Sequence, residues 1–340
     1  MGTLEMTTVD PPHKISELLY AHRATEALKV AVELGIFDKL LKQAMSAEQL
    51  APEISVDKHA CEVLLNALSS LQLLEKKNSV FGLAEMARLY LCRESSLFMG
   101  DLVTDERVAR AWSNLKEVIK TGKPLNQVNK VEKAEEFFPK LAASIFPLNY
   151  GTAHAVATEL KIEQYPAGAR ALDVAAGSAV WSLPLAERNK DLHVDAIDFP
   201  AVLKVTREFA ERHGVGARFS YLAGNWSDCS LEAESYDVIL LGHILHSEGK
   251  ARSEELLKEC YRCLKKGGKL VLAEMISDDE FSRQPGIQLF ALNMLLMTES
   301  GCIFSEGELR AMLSAQGFHS ICRPAVGYLP EESPVMIATK

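Results

Sequence analysis

Apolar residues in the first third of the chain recur with helical spacing. Ile15, Leu18, Leu19, Ala27, Val30, Ala31 and Leu34 predict a helix from near Ile15 that Gly35 closes, with a short element following to about Leu41. Ser46-Ala-Glu-Gln49 has the form of a capping box, in which hydroxyl and amide each satisfy a free N–H at a helix start. A short helix to about Ala51 follows, then a turn around Pro52 to Val56. A longer helix runs from Asp57 to about Leu73, with Cys61, Leu64, Leu65, Leu68 and Leu71 on one face. Leu74 to Phe81 then reads strand, polar turn, strand, which completes the outline of a winged helix.

Helical spacing returns from Ser95 to Leu160. One stretch runs from Arg107 to Ile119, Thr121-Gly-Lys-Pro124 breaks the chain, and a second stretch runs from Glu135 to Leu160. After Tyr165-Pro-Ala-Gly168 strands alternate with helices. Strands are expected at Arg170–Val174, Leu192–Asp198, Phe219–Leu222, Tyr236–Leu241 and Lys269–Glu274, with Lys266-Gly-Gly268 as a turn before the last. Helices are expected from Val180 to about Asn189, through Glu211, and from Arg252 to Leu264. Repeated βα units imply an α/β fold built on a parallel sheet with helices on both faces. The resulting organisation is a winged-helix-like unit over 1–105, bridging helices over 106–165, and an α/β domain over 166–340.

Composition narrows the function classes. With 37 Lys+Arg against 46 Asp+Glu the net charge is −9, which disfavours a chain that neutralises phosphates. The prospective recognition helix offers Asp57, Lys58, His59, Glu62, Asn66, Ser69 and Gln72 and no arginine for guanine, so no nucleic-acid partner is expected. No stretch approaches the length of a membrane span, and the N-terminal MGTLEMTTVDPPHK lacks both the apolar core of a signal peptide and a Ser or Thr at position 6 for myristoylation. Seven scattered cysteines read as reduced thiols of a cytoplasmic protein, and Cys260/Cys263 as helix packing rather than a metal or redox pair.

Ligands of parallel sheets sit at the carboxyl ends of the strands, which brings Asp173, Asp198, Asn225, His243 and His246 to one edge. The loop Ala175 to Ala179 is made of small residues, so its backbone can approach a nucleotide-like ligand closely. Only Gly177 is a glycine there, short of the G-x-G-x-x-G that cradles a pyrophosphate. Asp198, at the end of the second strand, is placed to bind two ribose hydroxyls, which fits an adenosine-bearing ligand.

Leu172-Asp-Val-Ala-Ala-Gly-Ser178, Ala196-Ile-Asp-Phe-Pro200, Ala223-Gly-Asn-Trp226, Ile244-Leu-His246 and Lys265-Lys-Gly-Gly268 resemble, in order, the motifs of class I S-adenosylmethionine-dependent methyltransferases. The N-terminal winged helix and the tail Asn293-Met-Leu-Leu-Met-Thr-Glu-Ser-Gly301 narrow the resemblance to small-molecule O-methyltransferases of secondary metabolism, relatives of caffeate and acetylserotonin methyltransferases. The resemblance covers nearly the whole chain. It implies a Rossmann-like domain with a seven-stranded, mostly parallel sheet, a homodimer through the N-terminal domain, S-adenosylmethionine as cofactor, S-adenosylhomocysteine as product and no metal.

By position, the resemblance makes His246 the general base and Glu274 its orienting partner. Asp173, Ala175, Gly177, Asp198, Phe199, Gly224, Asn225, Trp226, Gly242 and His243 would surround the cofactor, with Asn225 and Trp226 by the adenine. Trp112, Phe146, Tyr150, Asn293, Met294 and Met297 would line the acceptor pocket. An imidazole with a pKa near 6.5 suits removal of a phenolic proton at neutral pH.

Four positions depart from the family pattern: Ala175 and Ala179 replace outer glycines of the loop, Ser247 follows the base, and Ile303 stands where a second supporting glutamate is expected, unless nearby Glu299 takes its place. The departures leave open an N- or C-methyltransferase, a family member that guides a pericyclic or other non-methylating reaction, and a ligand-sensing winged-helix regulator. Loss of the base would favour the non-methylating reading and a basic recognition helix the regulator.

Overall fold

A computed structural model describes residues 12–124, 131–326 and 334–340. The readings made on the extreme N-terminus lie outside these residues. The chain divides into two compact units, Met1–Asp105 and Glu106–Lys340.

In the first unit the helix His13–Glu33 ends where Gly35 takes a positive φ of 69°, and the helix Ile36–Lys42 follows. Ser46 closes a capping box with Gln49 on the helix Ala47–Glu53, and Asp57 caps the helix Lys58–Ser70 through the Ala60 N–H at 2.8 Å. Strands Leu74–Lys77 and Val80–Leu83 form a hairpin whose turn residues, Asn78 and Ser79, both have positive φ, matching the right-handed twist of the strands. Ile36, Phe37, Leu50, Leu65, Leu68 and Phe81 are the centre of this unit's core. Leu71, expected on the buried face, is 39% exposed because the helix stops at Ser70. Ile15, Leu18 and Leu19 are more than 60% exposed, so the apolar stripe of the first helix finds no cover within this chain's described residues.

The second unit opens with helices that are more broken than their spacing suggests. Residues 107–119 are not one helix but two, Glu106–Trp112 and Leu115–Thr121. Asn114 donates its side-chain N–H to the Arg110 carbonyl, competing with the backbone at the break. The second stretch is likewise two helices, Val131–Ser144 and Phe146–Glu159, parted at Ile145. Pro147 has no N–H to continue the ladder there.

The large sheet is built from β1 (Arg170–Val174), β2 (His193–Asp198), β3 (Phe219–Ala223), β4 (Tyr236–Gly242), β5 (Leu264–Ala273), β6 (His319–Cys322) and β7 (Val335–Thr339). Their order is β6-β7-β5-β4-β1-β2-β3, and only the pairings of β7 with β5 and with β6 are antiparallel. The strand order reverses between β1 and β4, which opens a crevice at their carboxyl ends. β5 starts at Leu264, ahead of the expected turn. Pairing with β4 jumps from Tyr236–Leu264 to Val238–Lys269, so 265–268 bulge out, with Gly267 at a φ of 76°. The helix after β1 begins at Leu183 rather than Val180, because Ala179 takes a positive φ of 59°. Among the described residues no helix is long and apolar enough to cross a membrane.

Candidate active site

The carboxyl end of β1 leads into a loop in which Ala175, Gly177 and Ala179 have φ of 56°, 57° and 59°. Two alanines therefore occupy a conformation that favours glycine. The loop is held from two sides. Asp198 accepts the Gly177 N–H at 2.9 Å on one oxygen and the Phe199 N–H at 2.7 Å on the other. Thr206, on the helix Pro200–Arg212, donates its hydroxyl to the Gly177 carbonyl at 2.7 Å. Beneath the loop, Asp173 is 1% exposed and accepts the Ser182 hydroxyl at 2.5 Å.

Burial raises the Asp173 carboxyl to about 7, with a further push from Asp198 and opposition from Ser182. Burial also raises Asp198 to about 6 against the pull of its two N–H partners. No cationic side chain pairs with either among the described residues. This is the chemistry of a cradle for a cationic ligand: small residues, a close backbone, and two carboxylates lacking a counter-charge. A sulfonium and an ammonium on an adenosine-bearing molecule fit it.

Four of the expected cofactor contacts have other partners in this structure. Asn225 caps the turn Trp226–Asp228, and its Oδ1 is taken by the Ser227 N–H and hydroxyl and by Arg252. Trp226 is turned into the core against Leu172, Val174, Ile197 and Leu256, under the Arg252 guanidinium at 5.0 Å. The face of Gly242 from which a Cβ would project is filled by the Trp181 ring, 2.2 Å from that point, so this glycine is required by packing. His243 stands beside His246, with its ring 6.0 Å away. Gly224 has a φ of 138° and open space where a side chain would be, and Ala175 is partly exposed at the loop's mouth.

Past β4 a single turn, Leu245–Glu248, carries His246, which is 8% exposed. Its Nδ1 lies 2.6 Å from Oε2 of Glu274, at the end of β5, and its backbone N–H donates to Oε1 at 3.3 Å. Glu274 is 1% exposed. Burial alone would raise its carboxyl, but the His246 charge and hydrogen bond, with a smaller contribution from His243, hold it below the usual range. A neutral ring in this pairing carries its proton on Nδ1 and its lone pair on Nε2.

His243, at a φ of 59°, packs its ring 6.0 Å from that of His246 and 5.8 Å from Trp181. Nε2 meets Asn149 Oδ1 at 3.2 Å, while Nδ1 is buried with no partner among the described residues. Burial drives its pKa down to about 4, so the ring is neutral. One ligand atom each from His243, His246 and Glu274 falls within 4.8 Å of the others. The 2.6 Å contact between His246 Nδ1 and Glu274 Oε2 is a hydrogen bond that occupies both atoms.

The helix Pro285–Met297 forms the far wall. Phe290 meets the His246 ring edge-on at 5.0 Å. Phe290, Asn293, Met294 and Met297 share a stripe at helical spacing, and Asn293 Oδ1 is buried without a partner. Met297 packs with Ala111, Val118, Leu296 and partly with Trp112 in a local core, and Met294 is 6% exposed. Phe146 and Tyr150, expected in the acceptor pocket, are engaged elsewhere. Their rings stack at 4.7 Å, Phe146 continues onto Phe209, and the Tyr150 hydroxyl bonds Glu187 and His213. What the helix Phe146–Glu159 sends to the site is Asn149. Asn149, Phe290 and Trp181 escaped the sequence reading, because nothing in their local spacing marks them until the chain is folded.

An O-methyltransferase dimerisation domain matches residues 16–93 and an O-methyltransferase domain matches residues 160–319. The chain is 25% identical over 299 residues to 3-hydroxy-5-methyl-1-naphthoate 3-O-methyltransferase of Streptomyces sahachiroi, covering 84% of each chain. It is 26% identical over 333 residues to the tetracenomycin polyketide synthesis 8-O-methyl transferase of Streptomyces glaucescens, covering 94% of this chain and 95% of that one. The structure of human N-acetylserotonin methyltransferase in complex with S-adenosylmethionine superposes with a TM-score of 0.81 at 19% identity, over 99% of both chains. The two matched domains take in well over half of the sequence and contain every element of the site except Asn149, and the chain belongs to the S-adenosylmethionine-dependent O-methyltransferase family.

Proposed function

We propose that this protein methylates a hydroxyl of an aromatic or polyketide-like small molecule, with His246 as general base. The observation that carries the reading is the buried His246–Glu274 pair at the carboxyl edge of the sheet, beside the switch point between β1 and β4. Two relatives named for a naphthoate and a polyketide supply the acceptor class.

S-adenosylmethionine, when bound, supplies an electrophilic methyl on a leaving group that needs no acid. The chain's own work is then threefold. Gly177 and the loop 175–179 hold the cofactor's methionine part and Asp198 its ribose hydroxyls, with Asp173 supporting the loop from below. His246 Nε2 takes the hydroxyl proton as the oxygen attacks, and Glu274 steadies the resulting imidazolium. Phe290, Met294 and Met297 exclude water and align the acceptor. Residues 106–165 serve as a bridge that reaches the pocket through Asn149.

The exposed Ile15, Leu18 and Leu19 support a homodimer that covers them, through the unit 1–105. Seven free cysteines support a cytoplasmic location. The intact base argues against the non-methylating alternatives, and the helix Lys58–Ser70 presents no arginine for a DNA reader.

The test is incubation with methyl-labelled S-adenosylmethionine and a panel of phenols, naphthols and hydroxylated polyketides. The expected result is a labelled ether, with S-adenosylhomocysteine formed in equal amount. Label on carbon or nitrogen, or cofactor binding with no product from any acceptor, would overturn the reading.

A further inference from the structure

A second cluster of titratable side chains, away from the base, gathers around one carboxylate. Glu187, on the helix Leu183–Arg188, meets His213 Nδ1 at 2.7 Å through Oε1 and His154 Nε2 at 3.5 Å through Oε2. The Tyr150 hydroxyl donates to Oε1 at 3.1 Å. Burial, with the Glu187 charge behind it, pushes that hydroxyl well above its usual range, so it stays a donor. These contacts join three elements that each reach the site through another residue. The helix of Glu187 follows Ser182, which bonds Asp173. His213 ends the helix Pro200–Arg212, whose Thr206 holds the Gly177 carbonyl. Tyr150 follows Asn149 on the helix Phe146–Glu159, and Asn149 Oδ1 accepts the Nε2–H of His243 at 3.2 Å.

The three elements are not held alike. The helices Leu183–Arg188 and Pro200–Arg212 belong to the βα units of the sheet and bury Leu183, Leu185, Val202, Leu203 and Phe209. The helix Phe146–Glu159 lies outside those units. Beyond Asn149 it buries the small Ala153, Val156 and Ala157, and Arg188 ties its far end through Thr158. The tie nearest Asn149 is the Tyr150 hydroxyl. A hydrogen bond is directional, and successive residues of a helix project about 100° apart, so fixing Tyr150 on Glu187 sets where Asn149 points. We propose that Glu187 and Tyr150 are positioning residues of the methyl transfer: they set the helix Phe146–Glu159 so that Asn149 holds the His243 ring beside the base. The proposal rests on the reading above for the identity of the base, and on the contacts alone for the placement of Asn149. The His243 ring stands 6.0 Å from that of His246, so an Asn149 out of place loosens the wall against which the base works.

Two measurements on the full chain test it. The first is proton exchange of the His243 Nε2–H by NMR on isotope-labelled, ligand-free protein, the resonance being identified by its loss in His243→Phe. Tyr150→Phe keeps the ring and its stacking on Phe146, and it should speed that exchange by about tenfold or more, as Asn149→Ala does. Glu187→Ala should match them, and Glu187→Gln, which keeps an oxygen for the Tyr150 hydroxyl, should retain most of the protection. Wild-type exchange in Tyr150→Phe, or no protected His243 proton in the wild type, would overturn the proposal. The second is a double-mutant cycle on methyl transfer to the hydroxylated acceptor of the panel that turns over fastest. Asn149→Ala and Tyr150→Phe should each lower kcat by about tenfold, with affinity for S-adenosylhomocysteine changed by about twofold at most. The double variant should lose no more than either single one, because both act through one contact. Losses that multiply, or a lower melting temperature with kcat intact, would overturn the proposal. Faster exchange in Tyr150→Phe with no methylated product from any acceptor sinks the methyl transfer and leaves the placement of Asn149 standing. Methylated product with unchanged exchange sinks the positioning alone.

Discussion

The two sides of the crevice are finished to different degrees. On the cofactor side, the loop 175–179 is hydrogen-bonded to Asp198, Thr206 and Ser182. On the acceptor side, Asn293 and His243 hold out lone pairs that the described residues leave unmet. The first side is pre-organised in shape but unbalanced in charge, with two carboxyls pushed up to about 7 and about 6. On the second, Glu274 is held below the usual range beside His246, and the hydrogen bonds are unfinished. On the function proposed above, the cofactor side meets its ligand with two carboxyls and the acceptor side with open lone pairs, and His246 sits where the two meet.

The largest effect should come from breaking the meeting point. His246→Ala removes the group that accepts the proton, and kcat should fall by about 10²–10⁴-fold, the range of general base catalysis. The affinity for S-adenosylmethionine, set by the other side, should stay within twofold by calorimetry. A parallel loss of both would mean that His246 belongs to the cofactor cradle and that the division is wrong. Glu274→Gln leaves an Oε1 acceptor but no negative charge, so a smaller loss of kcat is expected, with the pH profile of kcat moved.

Asp198→Ala addresses the cofactor side alone. It strands the Gly177 and Phe199 N–H groups and removes a carboxylate. Charge-assisted hydrogen bonds contribute about 1.5–3 kcal/mol each, so affinity for S-adenosylmethionine should weaken by about 10²-fold or more. Acceptor binding to protein saturated with S-adenosylhomocysteine should change little.

pH tests the charge imbalance without a mutation. An unfolded aspartate ionises near 4, whereas Asp173 and Asp198 hold their protons to about 7 and about 6. Between these values the folded chain binds more protons than the unfolded one, so the contribution of the two groups to ligand-free stability falls as pH rises through that window. A cationic ligand reverses the preference, because it favours the ionised form. Affinity for S-adenosylmethionine should therefore decline as pH drops below 6, by about tenfold at pH 5 for Asp198, since one pKa unit corresponds to a factor of ten. S-adenosylhomocysteine has lost the sulfonium charge and should show a shallower slope. Equal slopes would mean that the carboxylates answer to the ammonium or the ribose.

Legibility in the sequence followed the same division. The cofactor side is local, since Asp173, the loop and Asp198 lie within one βαβ unit and period and motif mark them together. His246 was legible as a strand-end residue of a parallel sheet, even though it stands on a turn four residues beyond β4, whereas Glu274 came only through the family resemblance. The acceptor wall is assembled from helices far apart in the chain. Phe146 and Tyr150 advertised themselves as aromatic on a bridging helix, yet Phe209 and His213 claim them, and the neighbouring Asn149 faces the site. Trp226, marked by its motif, packs in the core against Leu172 and Ile197. Helix breaks at Asn114 and Ile145 were missed for a related reason: a side chain bonding the backbone and a proline two residues on act below the resolution of an apolar stripe.

The smallest effect should come from the loop's alanines, and it is the sharpest probe of how pre-organised the cofactor side is. Ala175 holds a φ of 56° and is partly exposed, so its methyl has little to contribute by burial. A left-handed conformation costs a non-glycine residue about 1–2 kcal/mol. Glycine removes that cost but adds backbone freedom to the unfolded chain, worth roughly 0.5–1 kcal/mol in the other direction. The net for Ala175→Gly should be a gain of about 0.5–1 kcal/mol, a rise of a few degrees at most in the melting temperature of the ligand-free protein. Ala179 has the same backbone, at 59°, but is fully buried, and trimming its methyl gives back about as much packing as it relieves in strain. Ala179→Gly should therefore leave stability nearly unchanged. If both variants stabilise equally, burial of Ala179 contributes nothing; if Ala175→Gly destabilises, the loop relaxes on its own and the cofactor side is less finished than its hydrogen bonds imply.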